Sequence, residues 1–427
     1  MVMNHRQSAV RTVAMTVATA VTVAAMLAAC DGTGGGGSEG VPAPAAVTGC
    51  GPAKVMKTLR GDAICVASTD SDQDGTPDEF EDLILQRYRP YLRFSVDDGE
   101  ETFRPTDALW YLARSDLIVS GDEDSEVVLS HQQLAGHYER LLAADHKNLL
   151  VSRLGPTDLT RNPRRTDWHI NPLGDDTRRG PEWDVVMRKQ NTGLYGHVLE
   201  LRTGEYQVEY WQFFGYSSVN RAFDIADHEG DWTCVSLIVQ PGDPEHELLS
   251  VTHRAHGYPL TFHFPSRRSV DPVPVSGGAI KEYRGGNYDT DFDLRGNKTF
   301  HSDNAVRMFR TDEPGALFLH PVVFVERGAH EFWPTENGSI IGAPKHNGVG
   351  RYRYLVGTVP NLGEVDHPLD TRARVILHYN GLWGAYSRSV PGIIDTTPPQ
   401  GPALHTGWVW PRDSALRRRI GSESFGG

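Results

Sequence analysis

The sequence is short of positive charge. Its 42 lysines and arginines face 55 aspartates and glutamates, a formal net charge of -13. Nucleic-acid binding needs a basic face to neutralise phosphates, so the expected partners include no nucleic acid. Acidity suits cation binding. Past residue 26 no further run reaches the roughly twenty apolar residues needed to cross a bilayer. There is no internal repeat and no heptad pattern. Ser217 and Ser218 lack the glycine-elbow context of a serine nucleophile. What is present is ordinary globular composition, 39% hydrophobic and 23% charged over 427 residues, enough chain for one large core or two.

The first thirty residues are organised for export. Arg6 and Arg11 give a positive start, residues 12–26 (TVAMTVATAVTVAAM) are apolar and uncharged, and Leu27-Ala28-Ala29-Cys30 follows. That last tetrad resembles the lipobox of bacterial lipoproteins, in which small residues let a peptidase cut before a lipidated cysteine. The resemblance implies cleavage before Cys30, lipid on its thiol, and a membrane-anchored protein of the cell envelope facing outside the cytoplasm. Residues 31–40 (DGTGGGGSEG) then read as a flexible tether.

In an oxidising compartment the other three cysteines divide by context. Cys50 and Cys65 are the expected disulfide, closing a short loop after the tether. Cys234 lies in an apolar run (WTCVSLIV) and is expected to be a buried thiol.

The strongest chemical motif is Asp70-Ser71-Asp72-Gln73-Asp74-Gly75-Thr76-Pro77-Asp78-Glu79-Phe80-Glu81. Calcium takes six to eight hard oxygens, and a loop of this kind places acids at positions one, three, five, nine and twelve, with glycine at six for the sharp turn. Asp70, Asp72, Asp74, Asp78 and Glu81 are the acidic ligands, and Thr76 offers its backbone carbonyl. LILQRYRPYL reads as an exiting helix that begins inside the loop, with Leu83, Ile84 and Tyr88 as its apolar stripe. RGDAICVAS ahead of it is too short and β-branched for an entering helix. The arrangement resembles the single calcium loops of dockerin or thrombospondin-type modules, and calcium there would brace the fold.

The remaining chain changes character along its length. Residues 131–145 (HQQLAGHYERLLAAD) read as helical, and a proline- and arginine-rich loop region follows. From about 191 strands dominate: GHVLEL, a Thr203-Gly204 turn, EYQVEYWQFFGY, CVSLIV, LLSVTH, LTFHF, HPVVFVE, YRYLVGTV and ARVILHY. Many short strands separated by turn residues favour an antiparallel sandwich over a parallel sheet. The expected fold is mainly β. Its parts are a signal peptide over 1–29, a linker over 30–49, a calcium-loop and helix segment over 50–115, a mixed helix and loop region over 116–190, and a β-sandwich over 191–427.

Within the β region, Asp227-His228-Glu229-Gly230-Asp231-Trp232 sets three carboxylates and an imidazole before a strand. His256 in HRAHG and His330 in RGAHEFWP each follow a strand, so three loops carry imidazole or carboxylate beside glycine. Asp227, His228, Glu229, Asp231, His256 and His330 are therefore the candidate ligands of a second divalent cation. His253 and His263 read as ordinary strand positions, and the aromatics of 206–216 as packing.

The order YWQFF, DHEGDW, HRAHG and HPVVFVERGAHEFWP, over residues 205–335, resembles the vacuolar-protein-sorting-associated protein 62 family. More distantly, residues 228–232 are similar to the Gly-His-Arg-His-Asp-Trp-Glu heptapeptide of necrosis-inducing toxin-like proteins, β-sandwiches that bind a divalent cation and sphingolipid headgroups; Thr233 stands where both patterns usually carry glutamate. These resemblances imply a binding module for a lipid headgroup or glycan. The alternatives are a metal-dependent hydrolase of the envelope, working through an activated water, and a purely structural envelope protein.

Overall fold

The computed structural model describes residues 49–94, 105–120, 125–144, 157–161, 168–172, 194–217, 228–244, 247–255, 258–264, 270–271, 281–285, 287–288, 306–310, 319–326, 328–335, 353–355, 357–384, 399–405 and 407–420. The export signal, Cys30 and the tether lie outside them.

The first elements form a hairpin, β1 (Lys54–Leu59) against β2 (Asp62–Ala67), paired from Lys54↔Ala67 to Leu59↔Asp62. Its two-residue loop, Arg60-Gly61, has φ of 59° and 83°, the doubly left-handed turn that suits the twist of paired strands. Cys50 and Cys65 form a disulfide across the hairpin's base. After the acidic loop comes α1 (Asp78–Tyr88) and a short strand β3 (Tyr91–Arg93). The helix buries Phe80, Ile84, Leu85 and Tyr88, but Leu83, expected in that stripe, is 38% exposed.

Next stand α2 (Ala108–Leu112), β4 (Ser115–Ser120), β5 (Ser125–Leu129), α3 (His131–Leu134), α4 (Glu139–Ala143) and β6 (Trp168–Pro172). The expected helix over 131–145 is two short helices, because Gly136 between them takes φ 72°, outside the helical region. Strands β5, β4 and β6 pair in that order as a small antiparallel sheet.

The main sheet is a meander of β7 (Leu194–Arg202), β8 (Glu205–Ser217), β9 (His228–Val239), β10 (Leu248–Ala255) and β11 (Tyr258–His263), edged by β14 (Asn287–Tyr288). The expected Thr203-Gly204 turn joins β7 to β8, with Arg202 opposite Glu205 and Gly204 left-handed at φ 78°. The second sheet runs β12 (Val270–Asp271), β13 (Lys281–Gly285), β15 (Val306–Arg310), β16 (Leu319–Val325), β3 and β18 (Arg353–Leu355), with β17 (Phe332–Trp333) also on β16. All its pairings are antiparallel except β16 with β3. Val208, Val235, Val251 and Phe262 of the meander share one core with Leu92, Val322, Phe324 and Trp333 of the second sheet and with α1. The fold is thus the mainly β sandwich that the strand pattern predicts.

The meander is covered on its other face too. Tyr195, Trp211, Phe213, Trp232 and Cys234 pack there with β4, β6, Trp383, Trp408 and α5 (Thr371–His378). Alternate residues of β8 serve the two cores, Val208, Tyr210 and Phe214 one and Trp211 and Phe213 the other. Burial on both faces explains the nearly unbroken apolar text of β8 and β9. Of residues 373–379, expected as a strand, 373–378 form most of α5 instead. Asp370 caps it by accepting from the Ala373 amide at 2.7 Å, and Ala373, Ile376 and Leu377 fall on one helical face. By their contacts, residues 48–427 group as one compact unit. A sixth helix, α6 (Ala415–Ile420), ends the described chain. Among the described residues no helix is long and apolar enough to cross a membrane.

Candidate metal centre

The 70–81 loop turns sharply where its sequence permits. Gln73 and Gly75 take φ of 62° and 97°, and each turn is tied by a carboxylate. Gly75 N donates to Asp70 Oδ2 at 3.1 Å, Thr76 N to Asp74 Oδ1 at 2.6 Å, and Ser71 N to Asp78 Oδ1 at 2.8 Å. Ser71 Oγ also donates to Asp78, at 2.6 Å. The helix that follows starts at Asp78 with acids in its first turn, where they complement the helix dipole. No entering helix precedes the loop; the β1–β2 hairpin does, its last amide on Ala67 donating to Glu79 at 2.5 Å.

The inner side of the loop is buried in the fold. Asp72, Thr76 and Glu81 are 1%, 0% and 0% exposed. Carboxylate oxygens of Asp72, Asp74 and Glu81 all lie within 4.8 Å of one another, as do those of Asp70, Asp72 and Asp78. Asp70 Oδ1, both oxygens of Asp72, Asp74 Oδ2, Thr76 Oγ1 and Glu81 Oε1 are buried without a hydrogen-bond partner. Several converging carboxylates left unpaired in low dielectric are strongly unfavourable unless a cation joins them or they take up protons. Burial, reinforced by mutual repulsion, pushes the Asp72 carboxyl up to about 8 and that of Asp74 up to about 6. Glu81 is raised as well, first by burial and then by Asp72 and Asp74. The donor set is all oxygen, the chemistry of a hard cation such as calcium.

Residues distant in sequence complete the surroundings. Asn361 Nδ2 donates to Glu81 Oε2 at 2.9 Å, and Asn361 Oδ1 accepts from Gly363 N at 3.1 Å. Gly363, left-handed at φ 67°, lies so close that a Cβ on it would stand 3.1 Å from Asp72 Cβ. On β7, His197 is wholly buried between two carboxylates, 2.9 Å from Glu364 and 3.2 Å from Glu209. Sequence reasoning missed Asn361, Gly363, Glu364, His197 and Glu209. The only available signal was a histidine and a glutamate at inward positions of otherwise apolar strands.

The second expected constellation comes together only in part. Asp231 Oδ2 lies 3.6 Å from His330 Nδ1, and the His330 ring stacks on Phe214 at 4.0 Å with φ 57° at its own backbone. Phe214 is the cross-strand partner of Asp231, which explains the meeting. His228 instead turns back, its Nδ1–H donating to the Gly230 carbonyl at 2.8 Å. Among the described residues, His228, Glu229, Asp231 and His330 form no cluster of three or more metal-ligating atoms. Asp227 and His256 lie outside the described residues. His253 is fully buried and His263 exposed, both within strands. Cys234 is a buried free thiol, pushed up to about 12 by burial. Comparison with protein-family models, curated proteins and solved structures finds no match to this chain.

Proposed function

We propose that this chain is a lipid-anchored cell-envelope protein, braced by one calcium ion in the 70–81 loop, whose β-sandwich is a binding module for a lipid headgroup or glycan. The observation that carries the calcium reading is the set of buried carboxylate oxygens on Asp70, Asp72, Asp74 and Glu81 that have no hydrogen-bond partner and point at one another. Thr76 supplies the seventh loop position, and Asp78, already bonded to Ser71, reaches the ion through water as ninth-position ligands often do. The anchor rests on the lipobox resemblance at residues 27–30.

The binding role rests on the resemblance of residues 205–335 to the vacuolar-protein-sorting-associated protein 62 family, and on His330. A non-glycine residue held left-handed stores strain of the kind that collects at ligand sites, and His330 is held beside Asp231 at one end of the sandwich. A hydrolase would need at least three ligands on one ion with a position open to water; the described residues of this region supply a pair.

The test uses full-length chain carrying Cys30→Ser, so that its own lipid does not interfere. It is presented with phospholipid vesicles and with immobilised envelope polysaccharide, in calcium and in chelator. Retention on either surface that is lost with Asp231→Asn supports the binding module; retention on neither overturns it. Zinc or manganese in the purified protein, with turnover lost on His228→Ala, would establish the hydrolase instead.

A further inference from the structure

Glu364 is 2% exposed and sits far from the loop in sequence, directly after Gly363. One oxygen, Oε1, is fixed by His197 Nε2 at 2.9 Å; the other, Oε2, is buried with no hydrogen-bond partner. His197 is itself held rigidly. Its Nδ1 meets Glu209 at 3.2 Å, and its ring stacks on Trp408 at 4.0 Å and 12°. Glu209 is fully satisfied, accepting also from Trp211 Nε1 at 3.1 Å, Gln207 Nε2 at 3.0 Å and Val409 N at 2.9 Å. Burial would lower the imidazole's pKa, but the flanking glutamates outweigh it and raise it.

Glu364 is brought to the loop by its neighbour Gly363. Its charge is felt by both Asp72 and Asp74, and the neighbouring Gly363 abuts the Asp72 side chain. A fold that buries a further acid with an unpartnered oxygen near three others, and braces it from behind with a histidine, has built for positive charge at the centre. Glu364 does not belong to either group of carboxylates lying within 4.8 Å of one another.

Resting on the calcium reading above, we propose that Glu364 closes the calcium site from the C-terminal segment by accepting a hydrogen bond from a calcium-bound water, with His197 as its positioning residue. The ion then joins two parts of the chain nearly three hundred residues apart, the 70–81 loop and the 359–366 segment. The site is a clasp between them, not a self-contained loop.

Calcium alone is titrated calorimetrically into the full chain and into Glu364→Gln, with melting in chelator measured for both. Outer-shell partners of a metal are typically worth 10–100-fold in affinity, so Glu364→Gln should weaken calcium binding by about that factor. Its melting in chelator gives the baseline, because the change removes a repulsive charge beside the loop and also the buried ion pair with His197. His197→Gln should weaken calcium in the same direction by less. Equal affinity in wild type and Glu364→Gln overturns the clasp while leaving the calcium loop intact; no calcium binding by wild type overturns the loop reading itself. Should Glu364→Gln fail to fold, hydrogen exchange of the wild type decides. Calcium should protect amides of 359–366 along with those of 70–81, and protection of the loop alone overturns the proposal.

Discussion

The 70–81 loop and the 228–231 strand entrance look alike in sequence, each a knot of acids around a glycine, yet the fold uses them differently. In the loop, Gly75 has open space around its Cα and serves only the turn, while the acids are buried with oxygens unpaired. At the strand entrance, Gly230 and Gly384 have no room for a side chain, because Cβ atoms there would meet the carbonyls of Trp383 and Glu229 respectively. Glycine beside acid thus marks a turn among unpaired carboxylates in one place and a close backbone approach in the other. The loop is marked by buried carboxylate oxygens left without hydrogen-bond partners.

The largest expected effect falls on the strand entrance. Gly384→Ala drives a methyl into the Glu229 backbone, and neither chain can move without disturbing Trp383 and β9, so the loss should be about 3 kcal/mol, at the upper end for overpacking. Denaturant melts should show that loss equally with and without calcium; a loss confined to chelator would mean that this region, too, holds an ion.

Calcium itself comes next. An ion that binds only the folded chain adds about 2.7 kcal/mol at a hundred times its dissociation constant, and chelation should remove it. The calcium-free protein should also respond to pH in a defined direction. A carboxyl raised in the fold, as Asp72 is to about 8, gives stability that is complete below its unfolded value and lost as pH rises through the folded one. His197, also raised, acts with the same sign. His253, His320 and His405, held down near 3, 4 and 4 by burial, act oppositely but only below the unfolded imidazole value of about 6.5. Between pH 6.5 and 8, therefore, melting temperature in chelator should fall, and saturating calcium should flatten the fall. A rising curve in chelator would contradict the buried carboxylates.

What was legible in the sequence follows the same division. The loop's spacing, the Cys50–Cys65 pair, the Thr203-Gly204 turn and the strands of the meander are local signals, and each is found where the residues put it. Residues 373–379 misled because Val375 and Ile376 favour strands in isolation, whereas the Asp370 cap and packing against the second core select a helix. The clasp residues were invisible for a different reason. Asn361, Gly363 and Glu364 carry no motif, and only the third dimension sets them against Asp72 and Glu81.

The smallest effect should be that of His228→Ala. This side chain is half-buried and gives one hydrogen bond to the Gly230 carbonyl, worth about 1 kcal/mol net. Its loss should leave the calcium response untouched, and a changed calcium affinity would join the two regions that the structure keeps apart.

The most direct measurement is the calcium stoichiometry of wild type beside Asp72→Asn with Glu81→Gln, two near-isosteric changes that remove charge while keeping shape. Wild type should bind calcium in the loop and gain melting temperature with it. The double variant should fold, lose that binding event, and melt in chelator no lower than wild type, because its buried repulsion is gone. An unchanged calcium-dependent rise in the double variant would show that the ion sits elsewhere and that the buried acids of this loop have another purpose.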